Sequence, residues 1–301
     1  MPGICEGRVV IVTGAGRGLG RAHALALGAA GARVVVNDIG VGLHGDGGDA
    51  GPAAEVVATI RQAGGEAVAS SHDVADWDQT GAMVALAIDT WGRLDAVVNN
   101  AGIVRDRMFV SATPDEWDAT MHVHLRGHFC TSRHAAAHWR AEAKAGRPVD
   151  GRIINTTSGA GLLGSIGQSA YSAAKGGIAS LTLVQAAELG RYGITANAIA
   201  PAARTRMTEK VFASMMAAPD GGFDAMDPAN VSPLVVWLVS EASKGVTGRV
   251  FEVSGGSIEV CTGWAEGPRT DLGRRYRPEE VGDVVASLLE GSPTPKKVYG
   301  T

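Results

Sequence analysis

An α/β fold, a mostly parallel sheet covered by helices on both faces, is predicted from three observations. Short apolar runs alternate with helix-length stretches along most of the chain, a glycine-rich turn joins the first run to the first helix, and the runs are too apolar to face water. Together these describe a doubly wound, Rossmann-type sheet of about seven strands.

The elements follow in order. Arg8 to Val12 is a β-branched strand ending at Thr13 and Gly14, and Leu19 to Ala30 is an Ala/Leu-rich helix stopped by Gly31. A strand at Arg33 to Asp38 leads to a helix from Pro52 to Ala63, stopped by Gly64 and Gly65, and then to a strand at Glu66 to Ser71. A helix over Asp76 to Trp91, a buried strand at Leu94 to Asn99 and one long helix from Asp115 to Ala145 come next. The strand at Gly151 to Thr156, the helix over Ser169 to Tyr192 and the strand at Ile194 to Ile199 continue the alternation. A helix over Ala229 to Ser240 and a strand at Arg249 to Val253 complete it. Residues 1–256 are thus expected to form one dinucleotide-binding domain, and 257–301 an extension for substrate or subunit contacts, with a helix from Pro278 to Glu290.

Composition narrows the function classes. The 301 residues are 45% hydrophobic and carry a net charge of -4, enough apolar material for a large core and no basic footprint for nucleic acid. No apolar run reaches the ~18 residues of a membrane span, and no export signal is read at the N-terminus. Cys5, Cys130 and Cys261 are odd in number and far apart, which points to neither a disulfide framework nor a metal site and favours a cytoplasmic setting. Glycine is the outlier: 42 residues are twice the usual ~7%, partly concentrated in the loop from Gly40 to Gly51.

The first turn gives that glycine a purpose. Gly14, Gly16, Gly18 and Gly20, with Arg17 and Leu19 among them, lie between a strand and a helix. Such a turn lets backbone approach a pyrophosphate, and the helix N-terminus offers free N–H groups to its charge. Asp38, about 20 residues beyond, is placed to bind both adenosine ribose hydroxyls. A 2'-phosphate would meet a like charge there, so NAD is favoured over NADP. Arg17 pulls the other way unless it pairs with a carboxylate such as Asp38. Asp73 and Val74 are placed to cradle adenine, although Asp73 also reads as a turn or capping residue.

Tyr171 and Lys175, four apart, share a helix face. An ammonium beside a phenol, helped by a cationic nicotinamide, is expected to favour the phenolate, which would take a hydroxyl proton while hydride leaves the same carbon. Ser158, thirteen residues before Tyr171, is a candidate to hydrogen-bond the substrate oxygen.

The glycine turn, Asn99-Asn100-Ala101-Gly102, Ser158, the Tyr171/Lys175 pair and Pro201 together resemble the short-chain dehydrogenase/reductase family over roughly residues 5–260. The resemblance implies Tyr171 as acid/base, Lys175 as its partner binding the nicotinamide ribose, and Ser158 as the orienting hydroxyl. It implies Asn100, Ala101 and Gly102 as lining of the cofactor pocket, with Pro201 and Thr205 beyond the sixth strand. One position departs: where the family usually has Asn, seven residues after Trp117, this chain has His124. A neutral imidazole would serve the family's proton path there, or merely pack. His122, His128, His134 and His138 read as helix surface rather than metal ligands.

The step His124-Leu125-Arg126-Gly127, with Asn37 to Gly40, Asn99 to Asp106, Gly167-Gln168 and the run from Pro201 to Arg206-Met207-Thr208, is similar to the (3R)-hydroxyacyl-CoA dehydrogenase unit of peroxisomal multifunctional enzymes and their stand-alone bacterial relatives. That implies NAD-linked oxidation of a secondary alcohol on an acyl-CoA, including steroid-derived acyl groups, or of a hydroxysteroid. It also implies a homodimer or homotetramer built on the two long helices. Two other readings compete: an NADPH-dependent 3-ketoacyl reductase, which Arg17 would favour, and a cofactor-sensing regulator without turnover. Arg274, Arg275 and Arg277 form a basic cluster that reads as a solvated face or as a contact for CoA phosphates.

Overall fold

The computed structural model describes residues 3–40, 51–205, 218–219 and 221–300. The loop residues 41–50 and the segment Arg206-Met207-Thr208 lie outside the described residues. One sheet organises the chain: β1 (Val9–Thr13), β2 (Arg33–Asn37), β3 (Glu66–Ser70), β4 (Ala96–Asn99), β5 (Gly151–Thr156), β6 (Ile194–Ala202), β7 (Val250–Ser254) and β8 (Ser257–Cys261). Their order is β3-β2-β1-β4-β5-β6-β7-β8, with β1 to β7 parallel. The order reverses between β1 and β4, where an open α/β sheet leaves a crevice at the carboxyl ends of its strands.

Alternating strand residues build two cores, because successive side chains point to opposite faces. Val10, Val12, Val34 and Val36 face the layer of α1 (Gly18–Ala29), α2 (Gly51–Gln62) and α8 (Ser232–Val239). Val9, Ile11, Val35 and Val97 face Met83 of α3 (Trp77–Trp91) and Trp139 of α5 (Gly127–Lys144). Most of these side chains are wholly buried, which is why the strands read as continuous apolar runs.

The structure departs from the expected elements at five places. The single helix from Asp115 to Ala145 is α4 (Pro114–Met121), a π-helical turn (His122–Arg126) and α5. Such a turn inserts a residue into the helical ladder, and side-chain periodicity does not announce it. The helix from Ser169 ends at Leu189 (α7, Ser169–Leu189) and tightens into a 3-10 turn at Gly190–Tyr192. The predicted helix at Ala229 opens as a 3-10 turn before α8, and a five-residue helix, α6 (Gly159–Leu163), follows β5. Finally, β8 turns back antiparallel on β7 through Gly255-Gly256, so the sheet has eight strands and continues past residue 256. Its residues are mostly exposed, which left no apolar run to read; the Gly-Gly pair was the available hairpin signal. The last helix, α9, spans Pro278–Glu290 as expected.

Candidate active site

The glycine turn is shaped by close approach. Gly14 has φ +61°, and a Cβ there would stand 2.8 Å from the Ala101 Cα. A Cβ on Gly20 would stand 2.1 Å from the Gly14 carbonyl oxygen, so α1 starts directly on the turn. The Asn100 amide group ties β4 to it, donating to Thr13 O at 3.0 Å and Gly14 O at 3.1 Å, while Thr13 Oγ1 accepts from the Asn100 and Ala101 N–H groups. No side chain caps the N-terminus of α1 and no acidic residue occupies its first turn. The free N–H groups and positive dipole end therefore fit a pyrophosphate.

A cleft of about 310 Å3 opens over this turn and the carboxyl ends of the strands. Every catalytic and cofactor-binding residue expected from the sequence lines it except Gly16 and Gly20, which shape the turn from behind. Asp38 sits one residue past β2, its Oδ2 accepting from Gly16 N at 2.8 Å and its Oδ1 from Gly40 N at 2.7 Å. Two backbone donors fix the carboxylate while each oxygen keeps a further lone pair for a ribose hydroxyl. Arg17 also lines the cleft and forms no ion pair with Asp38. Asp73 does act as a turn residue, its Oδ1 accepting from Ala75 N at 2.8 Å, yet it stays in the cleft wall beside buried Val74. The residues present thus fit a dinucleotide.

The reacting groups meet at the other end of the cleft. Ser158 caps α6, accepting from Ala160 N at 3.2 Å, and its hydroxyl lies close enough to the Tyr171 phenol to favour the phenolate. Lys175, almost wholly buried, donates from Nζ to Thr156 O at 2.7 Å and lies 5.6 Å from the centre of the Tyr171 ring. Burial pulls the lysine down to about 7. Burial also raises the Tyr171 phenol, the nearby Ser158 hydroxyl offsets this in part, and Asp106 adds to the rise. The expected depression of Tyr171 by an ammonium is therefore not met by the protein alone. The lysine is itself desolvated and spends its shortest hydrogen bond on a carbonyl.

His124 stands in the π-helical turn, its ring edge-on to Tyr171 with centroids 5.2 Å apart. Its Nε2 lies 2.8 Å from Ile103 O, and a Cβ on Gly102 would stand 2.3 Å from Cε1. Burial, with the Lys175 charge second, lowers its pKa to about 3, so the ring is neutral, and Nδ1 is buried without a hydrogen-bond partner. The expectation that the other histidines form helix surface is corrected at His128, which is buried with Nε2 accepting from Thr156 N at 3.3 Å. His122 is exposed, His138 half-buried, and His134 packs on Trp77. Arg274 and Arg277 pair with Glu280 on the surface, outside the cleft lining.

Sequence reasoning assigned no role to the residues that act through their backbone or from beneath, although Asn99, Asp106 and Gln168 lie within the motifs that carry the resemblance. Thr156 offers its carbonyl to Lys175, and Thr157 Oγ1 donates to Lys175 O at 2.6 Å. Asn99 and Asn155 link β4 and β5 to Ser132, Thr182 and Gln185 in a buried amide network under the site. Asp106 and Gln168, hydrogen-bonded at 2.9 Å, join the loops after β4 and β5. The strand-end Asn and Thr residues were the only signals.

Comparison with known proteins agrees with this geometry. A family model described as short chain dehydrogenase matches residues 8–215. Hydroxyacyl-CoA dehydrogenase ChsB1 of Mycobacterium tuberculosis is 49% identical over 263 residues, covering 85% of this chain and 80% of that protein. Peroxisomal multifunctional enzyme type 2 of Mus musculus is 44% identical over 259 residues, 86% of this chain but 32% of that protein, so the chain spans about a third of the mouse enzyme. A crystal structure of a short chain dehydrogenase from Mycobacterium avium superposes with a TM-score of 0.89 at 59% identity, covering 99% of this chain and 100% of that one. Since the family model takes in well over half of the residues and these relatives match along most of the chain, the protein belongs to the short-chain dehydrogenases, oxidoreductases that act on CH–OH groups with a nicotinamide cofactor.

Proposed function

We propose that the protein oxidises the 3-hydroxyl of a 3-hydroxyacyl-CoA with NAD. The observation that carries this is one cleft with the fixed Asp38 carboxylate at one end and Ser158, Tyr171 and Lys175 at the other. The names of the relatives from Mycobacterium tuberculosis and Mus musculus support the substrate class.

Gly14, Gly18 and the α1 N-terminus hold the pyrophosphate, Asp38 the adenosine ribose, Val74 and Asp73 the adenine, and Asn100 to Gly102, Pro201 and Thr205 the remaining wall. The bound nicotinamide supplies the hydride acceptor. Ser158 donates to the substrate oxygen and fixes it against Tyr171, whose oxygen takes the hydroxyl proton as the C–H bond breaks. Lys175 holds the nicotinamide ribose and, when protonated, opposes the burial that keeps Tyr171 neutral. His124, neutral and tied to the Ile103 backbone, positions the Tyr171 ring rather than carrying a proton.

A panel of 3-hydroxyacyl-CoA esters and hydroxysteroids against NAD and NADP tests this. Reduction of NAD by the thioesters, lost in Tyr171→Phe with NADH binding retained, is expected. Binding of NADH without turnover of any alcohol would instead favour a cofactor-sensing regulator. Arg17, free of an ion pair with Asp38, supports the second reading, an NADPH-dependent 3-ketoacyl reductase, and a clear preference for NADP would establish it.

The same reading takes residues 1–256 as the dinucleotide-binding domain and 257–301 as its extension, which begins by adding β8 to the edge of the sheet. A homodimer or homotetramer on α5 and α7 is supported by Phe129, Leu183 and Val184, large apolar residues exposed on those helices. No helix among the described residues is long and apolar enough to cross a membrane. A cytoplasmic setting is supported by three free cysteines, two of them buried.

A further inference from the structure

Residues 298–300 lie against the loop that runs from Ser158 to Tyr171. Tyr299 O accepts from Ile166 N at 3.0 Å and Tyr299 N donates to Gly164 O at 3.2 Å, forming a parallel bridge at Ser165. The Tyr299 ring covers Gly159, the residue after Ser158: a Cβ there would stand 2.7 Å from the phenol oxygen and 2.8 Å from Cε2. The Glu252 side chain of β7 and Cys261 of β8 lie close enough to the phenol to raise its pKa, after burial as the first cause. The Tyr299 backbone thus ties the end of the chain to the loop that presents the orienting serine, and its ring packs on that loop.

A second cavity, of about 350 Å3, opens beside the site. One wall is Asp106 to Met108, the facing wall Ser165 to Gln168, and Tyr299 with Gly300 closes the end. The two walls are tied by Gln168 to Asp106 and by Arg107 N to Gly167 O at 2.7 Å. Its surroundings are apolar and exposed: Met108 is 57% exposed, Phe109 78%, Val110 92% and Ile166 47%. So much apolar surface beside a cavity walled by Asp106, whose charge acts on the Tyr171 phenol, matches an apolar ligand portion, not solvent.

We propose that Tyr299 is a specificity-determining residue: it closes an apolar subsite for the part of the substrate beyond the hydroxyl-bearing carbon and pins the loop that holds Ser158. The acyl-CoA identity rests on the reading above; the wall itself does not. An acyl chain or fused ring lying along Met108 and Ile166 would end against Tyr299, whereas a short acyl group would not reach it.

The test compares wild type, Tyr299→Ala, Tyr299→Phe and a chain ending at Lys297, using a four-carbon and a sixteen-carbon 3-hydroxyacyl-CoA with NAD. In Tyr299→Ala the KM for the long substrate is expected to rise about tenfold, as for a lost apolar pocket contact, with little change for the short one. NADH affinity should hold, Tyr299→Phe should behave as wild type, and amide exchange at Ile166 should speed up in the shortened chain. Equal KM changes for both lengths, unchanged KM for both, or loss of NADH binding would overturn the assignment. Wild-type turnover alone judges the acyl-CoA reading. If the protein prefers another class of secondary alcohol, the same long-to-short ratio is taken within that class.

Discussion

Replacing Lys175 with Met should stabilise the protein at neutral pH while destroying its activity. Burial lowers the lysine from 10.5 to about 7. At 1.36 kcal/mol per pKa unit, keeping the ammonium in the native state costs roughly 5 kcal/mol below pH 7 and about 4 kcal/mol at pH 7. Methionine has similar length and carries no charge, but it gives up the 2.7 Å bond to Thr156 O, worth about 2 kcal/mol. The net gain at pH 7 is therefore about 2 kcal/mol. Between pH 7 and 10.5 the unfolded chain holds a proton that the native state has released, so wild-type stability climbs with pH and the variant's does not. Near pH 10.5 the lysine penalty has largely gone, only the lost hydrogen bond counts, and the sign reverses. Urea unfolding of both proteins across this range reads the crossover directly. A variant less stable than wild type at pH 7, or an advantage that does not shrink toward pH 10.5, would refute the reasoning.

Three further outcomes follow from the geometry. Gly20→Ala should abolish cofactor binding and lower stability by at least about 2 kcal/mol, because its Cβ meets the Gly14 carbonyl; retained NADH affinity would contradict the packing. Asp38→Ala should weaken NAD binding about tenfold or more and relax discrimination against NADP, read by titration of both reduced cofactors. Asp150→Asn should cost about 3–5 kcal/mol, since the buried guanidinium groups of Arg8 and Arg152 both pair with that carboxylate. Burial pushes the Asp150 carboxyl up, but its bonds to Arg152 and Arg8 outweigh this and lower its pKa; the stabilisation is present above the ordinary aspartate range and is lost as pH falls below it. Unfolding midpoints that do not fall between neutral pH and pH 3 would argue against it.

Much of this was legible in the residues. The central strands β1, β2, β4, β5 and β6 are buried on both faces, so their apolar runs stand out against the amphipathic helices. The glycine turn, Asp38, Ser158 and the Tyr171/Lys175 pair belong to local patterns whose spacing already carries their chemistry. β8 was hidden because an exposed edge strand needs no apolar run, and the π-helical turn because one extra residue in a helix leaves composition unchanged. His128 reads as a surface residue on spacing alone; it is buried against the sheet, where Thr156 of β5 donates to it.

Hydrophobic period and glycine placement act over a few neighbouring residues, so the doubly wound sheet, the phosphate turn and the identities of the reacting side chains are written along the chain. Their ionisation and alignment arise in the folded protein. The lowered pKa of Lys175, the raised pKa of Tyr171, the backbone-bound ring of His124 and the return of Tyr299 to the Ser158 loop all depend on groups distant in the chain. Desolvation and hydrogen-bond geometry are properties of what surrounds a residue, and those surroundings exist only once the chain has folded.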